Sequence, residues 1–574
     1  MAEPGPTGPE PRPDLAARLE EALALHAEGR LDAAEAVYLE VLSLEAANFT
    51  AHHCLGVIAS QRGHYDEAVR LIGEALRLNP RSAMAHLNLG IALGRLGRFQ
   101  EALGHYQFSA VLNPEFPDTY MNRAVALHAL QRHEEALANY DRALALKPDF
   151  ALAHSNKIFL LDFLPRIDFE AHQRERRNFF RMQAQDLWPK VQDFPNPRDP
   201  DRRLVLGYVS ADFKRHSAAS CFGPVLRNHD RSRFRVICYS GVRDEDDWTA
   251  RFRQWADAWR PTGDLTDAQM AAQVRADGVD ILVDLSGHTE GNRLLVFARK
   301  PAPVQVTAWG HGGGTGLPAI DYQFTDPILT PDWARPLFAE ASFDLPCCIT
   351  FESTAPAPPV GPLPALSRGH VTYGSINRVI KMVRPVQELW ARILQAVPAS
   401  RLLLKDARFD DPRERQALIE AFGALGVPAE RIELRGFTSH EQHLGACDDV
   451  DIMLDTFPQN GGITTWEALW MGVPVLALLG NKPPSRISAA VLHALDLDDW
   501  VAGDAEDYLR QAVARAGDLA SLARFRQGIR SRITASAAGN PERYTRIVEE
   551  GYRTMWKNWL ENAGRPPFRP GGGA

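Results

Sequence analysis

The sequence predicts an α-solenoid followed by two doubly wound α/β domains. Three observations carry that prediction. Small residues return every 34 positions across the first 150 residues, apolar runs of four to eight residues alternate with helical stretches from residue 200 onward, and a proline-rich break at 353–369 divides the alternating part in two. At 574 residues the chain is too long for one core, because a domain takes roughly 100–200 residues.

The repeat comes first. Ala34, Ala68, Ala102 and Ala136 stand in register, as do Gly29, Gly63 and Gly97, and Pro80, Pro114 and Pro148. Leu55-Gly56 and Leu89-Gly90 lie one period apart, with Arg123-Ala124 as the next counterpart, and a large side chain follows each alanine by four: Tyr38, Ile72, Tyr106, Tyr140. Small residues where helices cross and proline past the second helix suit two short helices per unit. The pattern resembles the tetratricopeptide repeat, with about four units between residues 14 and 150, fading through ALAHSNKIFLLDF. Such a solenoid offers a concave face for an extended peptide or a partner protein.

The strands follow. RRLVLGYVSADF (202–213), RFRVICYS (233–240), VDILVDLSGHT (279–289) and PVQVTAWGHGGGTG (303–316) form a first series. HVTYGSIN (370–377), SRLLLKDA (400–407), RIELRGF (431–437), VDIMLDTF (450–457) and VPVLALLG (473–480) form a second. Short apolar runs separated by helical stretches are parallel strands with crossover helices, so each series reads as a Rossmann-like domain. The last segment, 544–564, has a helical period and is expected to cross back over the first of these domains.

Composition narrows the function. Hydrophobic content of 45% and charged content of 24% belong to a folded protein. A net charge of −8 supplies no basic excess for nucleic acid. Lysine supplies only 9 of the 64 basic side chains, so a lysine in a cleft stands out. Six cysteines without CxxC or zinc spacing point to a reduced compartment and to no metal, and the absence of a signal-like start or an apolar run of 18 points to a cytoplasmic protein without a membrane partner. GxSxG, HExxH and GxxxxGK[ST] are absent. The acidic groups Asp449-Val450-Asp451 and Asp244-Glu245-Asp246-Asp247 read as a strand start and a charged loop.

Ligands of doubly wound sheets bind beyond the carboxyl ends of the strands. In DTFPQNGGITTWE, Asn460, Gly461 and Gly462 precede Thr464 and Thr465 at the start of a helix; locally this is a plain turn and cap or a place where free amides and hydroxyls suit a diphosphate, with Glu467 suited to ribose hydroxyls. Lys381, four residues after Asn377, suits charge on a leaving phosphate, or else is a solvated lysine on a helix. His216 follows SADFKR, a placement suited to a base or equally to a helix cap. Asp212, His288 and His311 are candidate acceptor or cleft residues, and GHGGGTG resembles a phosphate nest.

Together, the repeats and the motifs GYVSADFKRH, ILVDLSGHT, KPAPVQVTAWGHGGGTG, INRVIK and LDTFPQNGGITTWEALWMGVPV resemble bacterial protein O-GlcNAc transferases, the family that includes the Spindly proteins. The resemblance covers residues 14 to about 560. It implies a GT-B fold, inverting and metal-independent transfer from a nucleotide-sugar co-substrate to a protein hydroxyl, and no further cofactor. By motif, His216 matches the histidine proposed as base, Lys381 the lysine on the donor diphosphate, and His443 a histidine near the nucleotide. Thr438 matches the position whose backbone meets the base, Gly462, Ile463 and Thr464 the phosphate-contacting turn, and Glu467 the ribose acid. Gly313, Thr315, Asn377, Asn460, Gly461 and Thr465 complete the expected donor site.

Departures are also visible. The animal enzymes carry His-Thr-Thr at Gly462-Ile463-Thr464, Pro-Gly-Thr-Ser-Gly at Gly312 to Gly316, and tyrosine at Ile380, and they have an insert this chain lacks. UDP-GlcNAc is the expected donor; UDP-glucose, GDP-fucose, a CMP-linked nonulosonic acid for flagellin, and an inactive repeat scaffold are the alternatives. Intact His216, Lys381 and Glu467 stand against the scaffold. The oligomeric state is open. The expected layout is a disordered start at 1–13, repeats at 14–165, a helical linker at 166–200, a catalytic domain at 201–350, a linker at 351–369, a nucleotide-sugar domain at 370–535, and a C-terminal helix with flexible tail at 536–574.

Overall fold

The computed structural model describes residues 15–189, 193–353 and 357–562. The expected disordered start and the tail beyond residue 562 lie outside them. The chain divides into two compact units, Met1–Ala153 and His154–Ala574. Residues 154–165, expected within the repeats, thus group with the second unit.

In the first unit, helices pair as Leu15–Ala27 with Leu31–Leu44, Phe49–Gln61 with Tyr65–Leu78, Ala83–Arg95 with Phe99–Leu112, and Pro117–Ala129 with His133–Leu146. The periodic residues explain the pairing. Ala34, Ala68, Ala102 and Ala136 have no exposed surface. A Cβ on Gly56 would lie 2.5 Å from Ile72, and one on Gly90 would lie 2.5 Å from Tyr106, so glycine sets the approach of each helix to its partner. Gly29, Gly63 and Gly97 turn the chain with φ of +74°, +80° and +75°, and Gln131 takes the same left-handed conformation at +60° in the fourth unit.

The second unit holds two parallel sheets. The first contains β1 (Leu204–Ser210), β2 (Phe234–Ser240), β3 (Ala258–Pro261), β4 (Ile281–Asp284), β5 (Val304–Thr307), β6 (Tyr322–Thr325) and β7 (Ala341–Asp344), in the order β3-β2-β1-β4-β5-β6-β7. The second contains β8 (Thr372–Ser375), β9 (Arg401–Lys405), β10 (Ile432–Arg435), β11 (Ile452–Leu454), β12 (Val475–Leu478) and β13 (Val501–Ala502), in the order β10-β9-β8-β11-β12-β13. Strands β3, β6, β7 and β13 add to those read from the sequence. They span two to four residues, and β3 (AWRP) and β7 (ASFD) are half-exposed and too polar to read as apolar runs.

Strand order reverses between β1 and β4 and between β8 and β11, which marks the switch points where ligands of such sheets bind. The helix Pro541–Glu561 returns to the first sheet. Its Glu549 accepts from His229 Nδ1 at 3.0 Å and from the Asp230 amide at 2.7 Å, and Tyr552 Oη lies 3.0 Å from Tyr208 Oη. These bonds join the end of the chain to the domain that precedes the second sheet.

Candidate active site

The second sheet builds most of the site. After β11 the chain runs through Asp455 to Gly462 and enters the helix Ile463–Trp470, whose N-cap, Gly462, supplies no side-chain cap. The back of this helix is fixed by Trp466, fully buried and stacked on Phe351 with ring centroids 6.0 Å apart, and truncation of such a side chain costs about 3–5 kcal/mol. Its end is fixed by Gly472 at φ +84°. The first turn is thereby held while its amides carry the positive end of the helix dipole.

Lys381 belongs to the turn after β8. Its Nζ donates to the Asn460 main-chain oxygen at 2.6 Å, joining the turns of the two switch-point strands. Desolvation and the neighbouring Arg378 push this ammonium down to about 8, against the opposing pull of Asp455 and Asp162. Asn377 donates to Asp455 Oδ1 at 3.1 Å and accepts from Thr464 Oγ1 at 2.8 Å. Asp455 also accepts from the Gly461 amide at 2.8 Å, and burial raises its carboxyl above the usual range. Thr465 Oγ1 lies 2.7 Å from Ser488 Oγ and faces the interior. Asn460 donates to the Thr456 carbonyl at 2.8 Å, and its Oδ1 has no partner among the described residues.

Glu467, on the same helix, is almost enclosed. His443 Nε2 lies 3.6 Å from one of its oxygens and His440 Nε2 lies 4.0 Å from the other, with the two rings parallel within 14°. The capping box of Ser439 and Gln442 sets the short helix that presents both rings. Thr438 precedes that cap, with its buried Oγ1 unpartnered among the described residues.

The first sheet contributes His216 after β1. It caps the helix Ser217–Asn228, accepting from the Ala218 amide at 3.3 Å, while its Nδ1 lies 3.6 Å from Asp212 Oδ2. Its side chain remains 45% exposed. A proton on Nδ1 shared with Asp212 leaves the Nε2 lone pair available; the cap bond requires the opposite tautomer. Burial raises the Asp212 carboxyl, opposed by His216 and Lys214.

The glycine-rich turn is arranged differently from the expectation. Thr315 was expected at the donor, but its amide donates to Glu340 at 2.7 Å and its hydroxyl bonds the same carboxylate, with no exposed surface. Gly313 faces the helix Phe169–Phe179: its carbonyl accepts from Gln173 at 2.7 Å, and a Cβ there would lie 2.5 Å from the Arg176 guanidinium. His288 has no exposed surface and bonds Ser155 Oγ at 3.2 Å and the Thr315 carbonyl at 2.8 Å; burial, with Arg176 nearby, keeps it neutral. His311 Nε2 donates to Asp162 at 2.7 Å. These residues brace the turn, because Gln173 and Arg176 of the helix that packs on it donate to the Gly313 and Gly314 carbonyls.

Sequence reasoning missed Asp455, His440, Glu340 and Asp162, the residues that organise this arrangement. Asp455 had a signal, since it ends a strand at a switch point; the other three depend on tertiary contacts. One group with metal-ligating side chains, Asp326, Cys347 and Cys348, comes together within 4.8 Å among the described residues. Its carboxylate already accepts from the amides of Ile328 at 2.9 Å, Leu329 at 2.7 Å and Cys348 at 2.7 Å. Among the described residues no helix is long and apolar enough to cross a membrane.

Residues 187–343 and 364–548 match the model of glycosyl transferase family 41, and residues 55–107 and 117–150 match tetratricopeptide repeat models. The chain belongs to glycosyl transferase family 41. It is 36% identical over 399 residues to a Solanum lycopersicum protein named "Probable UDP-N-acetylglucosamine--peptide N-acetylglucosaminyltransferase SPINDLY", covering 68% of this chain and 42% of the relative. The Arabidopsis thaliana protein of the same name is 36% identical over 399 residues, with 68% and 43% covered. The chain thus spans about two fifths of the length of these relatives. Among solved structures, a Thermobaculum terrenum O-GlcNAc transferase mutant is 33% identical with a TM-score of 0.84, covering 90% of this chain and 99% of that one. Helical repeats followed by two Rossmann-like domains in a GT-B fold describe this family 41 chain.

Proposed function

We propose that this family 41 chain is an inverting, metal-independent protein O-glycosyltransferase that moves GlcNAc from UDP-GlcNAc to Ser or Thr of a protein held on the concave face of the repeats. The observation that carries the reading is the bond from Lys381 to the Asn460 carbonyl. It holds a lysine ammonium beside the uncapped start of the helix Ile463–Trp470. Two fixed positive elements beside one turn suit the charge that grows on a departing nucleoside diphosphate, the task a metal ion performs elsewhere. Glu467 with His443 and His440 provides acceptors and donors for a ribose. UDP-N-acetylglucosamine and peptide in the names of the relatives support this choice of donor and acceptor class.

In this account an acceptor hydroxyl attacks the anomeric carbon from the face opposite the diphosphate and gives its proton to His216 or to a phosphate oxygen. The test is nucleotide release from UDP-GlcNAc, UDP-glucose, GDP-fucose and a CMP-linked nonulosonic acid, with and without EDTA, followed by mapping of the modified residues by mass spectrometry. Release of UDP from UDP-GlcNAc that survives EDTA, with label on Ser or Thr, is expected. Turnover confined to another donor, or abolished by EDTA and restored by manganese, overturns the reading.

A further inference from the structure

A buried charge cluster lies behind the glycine-rich turn. Asp162, fully buried in the turn Leu161–Phe163, accepts from His172 Nε2 at 2.9 Å and from His311 Nε2 at 2.7 Å. Burial alone would raise its carboxyl, but His311 and His172 hold it far below the usual range. His172 is buried and pushed down to about 3 by desolvation and by Arg176, so it donates to Asp162 as a neutral ring. Its Nδ1 has no partner among the described residues, in agreement with that tautomer. Arg176, also fully buried, bonds the Gly314 carbonyl at 3.0 Å. One side of the Asp162 turn is therefore joined to the glycine-rich turn of the first sheet.

The other side is joined to the second sheet. Lys482, with no exposed surface, donates to the Leu161 carbonyl at 2.9 Å and to the Leu164 carbonyl at 2.5 Å. Its loop continues to Pro484, whose carbonyl accepts from the Asn460 amide at 2.9 Å. Asn460 in turn receives Lys381. An unbroken series of bonds thus runs from His311 through the Asp162 turn, Lys482 and Asn460 to Lys381. A buried ion costs several kcal/mol unless it is paired, so a cluster this enclosed fixes its members tightly.

We propose that Asp162 is a positioning residue of the transfer site: its turn clamps the glycine-rich turn on one side and, through Lys482, the loop that receives Lys381 on the other. The proposal rests on the transferase reading for its kinetic consequence, but the effect of the Asp162 charge on Lys381 is testable without turnover. The charges that act on Lys381 are Arg378, Asp455 and Asp162. Those that act on Asp162 include His311, His172 and Arg176, with Lys482 and Lys381 sensing it in return.

Asp162→Asn keeps the shape, removes the charge, and cannot accept from both histidines. Its kcat is expected to fall by about tenfold or more, as misplacement of a reacting group does, with the KM for donor little changed. Because Asp162 favours the ammonium, the alkaline limb of kcat is expected to move to lower pH, and Asp162→Glu is expected to return it toward wild type. Acetylation of Lys381 by acetic anhydride, read by mass spectrometry between about pH 6 and 11, is expected to show the same displacement whether or not the chain turns over a donor. A labelling midpoint unmoved by Asp162→Asn overturns the proposal, as does a loss of kcat with no movement of either pH profile. A wild-type chain that turns over none of the donors defeats the transferase reading alone, and the labelling still decides the placement. Should Asp162→Asn not fold, Asp162→Asn with Lys482→Met removes the buried anion and cation together and is read by the same labelling, with the same two outcomes.

Discussion

Lys381 Nζ lies 2.6 Å from the main-chain oxygen of Asn460, so the turns that follow β8 and β11 share one charged hydrogen bond across the switch point of the second sheet. Both turns are rigid for independent reasons. Asn377 and Asp455 bridge them with side chains, and the buried Trp466 fixes the helix that follows. The ammonium therefore needs little rearrangement to meet a phosphate, the condition under which an electrostatic contribution to catalysis is largest.

Glu467 is expected to act on donor binding rather than on the chemical step. Hydrogen bonds to a charged acceptor contribute about 1.5–3 kcal/mol, so Glu467→Ala should raise the donor Kd by about 10–100-fold and leave kcat within a few-fold. Calorimetry with UDP and with UDP-GlcNAc measures it. A variant that binds donor normally and loses only kcat would show that the carboxylate does not meet the nucleotide.

His216 carries the base assignment and also caps a helix. His216→Ala is expected to slow transfer by about 10²–10⁴, whereas His216→Asn preserves a cap and should fold as well as wild type with the same kinetic loss. If the tautomer with Nδ1 protonated does the work, Asp212→Asn should lower kcat as well, by less. Restoration of near wild-type rates in His216→Asn would reduce the histidine to a cap.

Much of this arrangement was legible before the structure. The 34-residue period gave helix pairs because the small residues that repeat are those that cross most closely, as Gly56 and Gly90 show. Asn460 to Glu467 could be read because strand, glycine pair and helix are contiguous in the chain. The glycine-rich turn misled, since glycine that permits a helix to pack, as at Gly313 against Arg176, looks the same in sequence as glycine that admits a phosphate. Asp162, Glu340 and Lys482 were illegible because their partners lie far along the chain and obey no local spacing.

The repeats offer a graded stability series. Gly90→Ala should cost the most, because the methyl meets Tyr106. Gly97→Ala should cost about 1 kcal/mol, although nothing lies within 4 Å of the new methyl, because φ there is +75°. Gln131→Gly should be neutral or gain about 0.5 kcal/mol by relieving the same conformation. Thermal unfolding of the three variants gives the ranking, and a Gly97→Ala as stable as wild type contradicts it.

Acid should weaken the second unit before its carboxylates titrate. The folded His172 stays neutral down to about 3, whereas an unfolded histidine takes its proton near 6.5, so the unfolded chain binds more protons between those values. The associated stability is complete above about pH 6.5 and is lost as pH falls toward 3. His288, held neutral by burial, adds in the same direction. The thermal midpoint is expected to fall between pH 7 and 5, and less so in His172→Gln; equal slopes in the two proteins would remove His172 from the account.

The Lys381 ammonium is expected to stabilise the departing diphosphate. Initial rates of UDP release with a fixed acceptor, for wild type, Lys381→Ala and Lys381→Arg across pH, test it most directly. Loss of one such donor costs about 10²–10³ in rate, so Lys381→Ala should fall to that level in kcat, and arginine should rescue only in part because its planar fork differs from a point charge. The wild-type rate should decline as pH rises through about 8, where the ammonium loses its proton, and the arginine variant should not share that decline. A Lys381→Ala protein that keeps more than about a tenth of wild-type kcat would contradict the account.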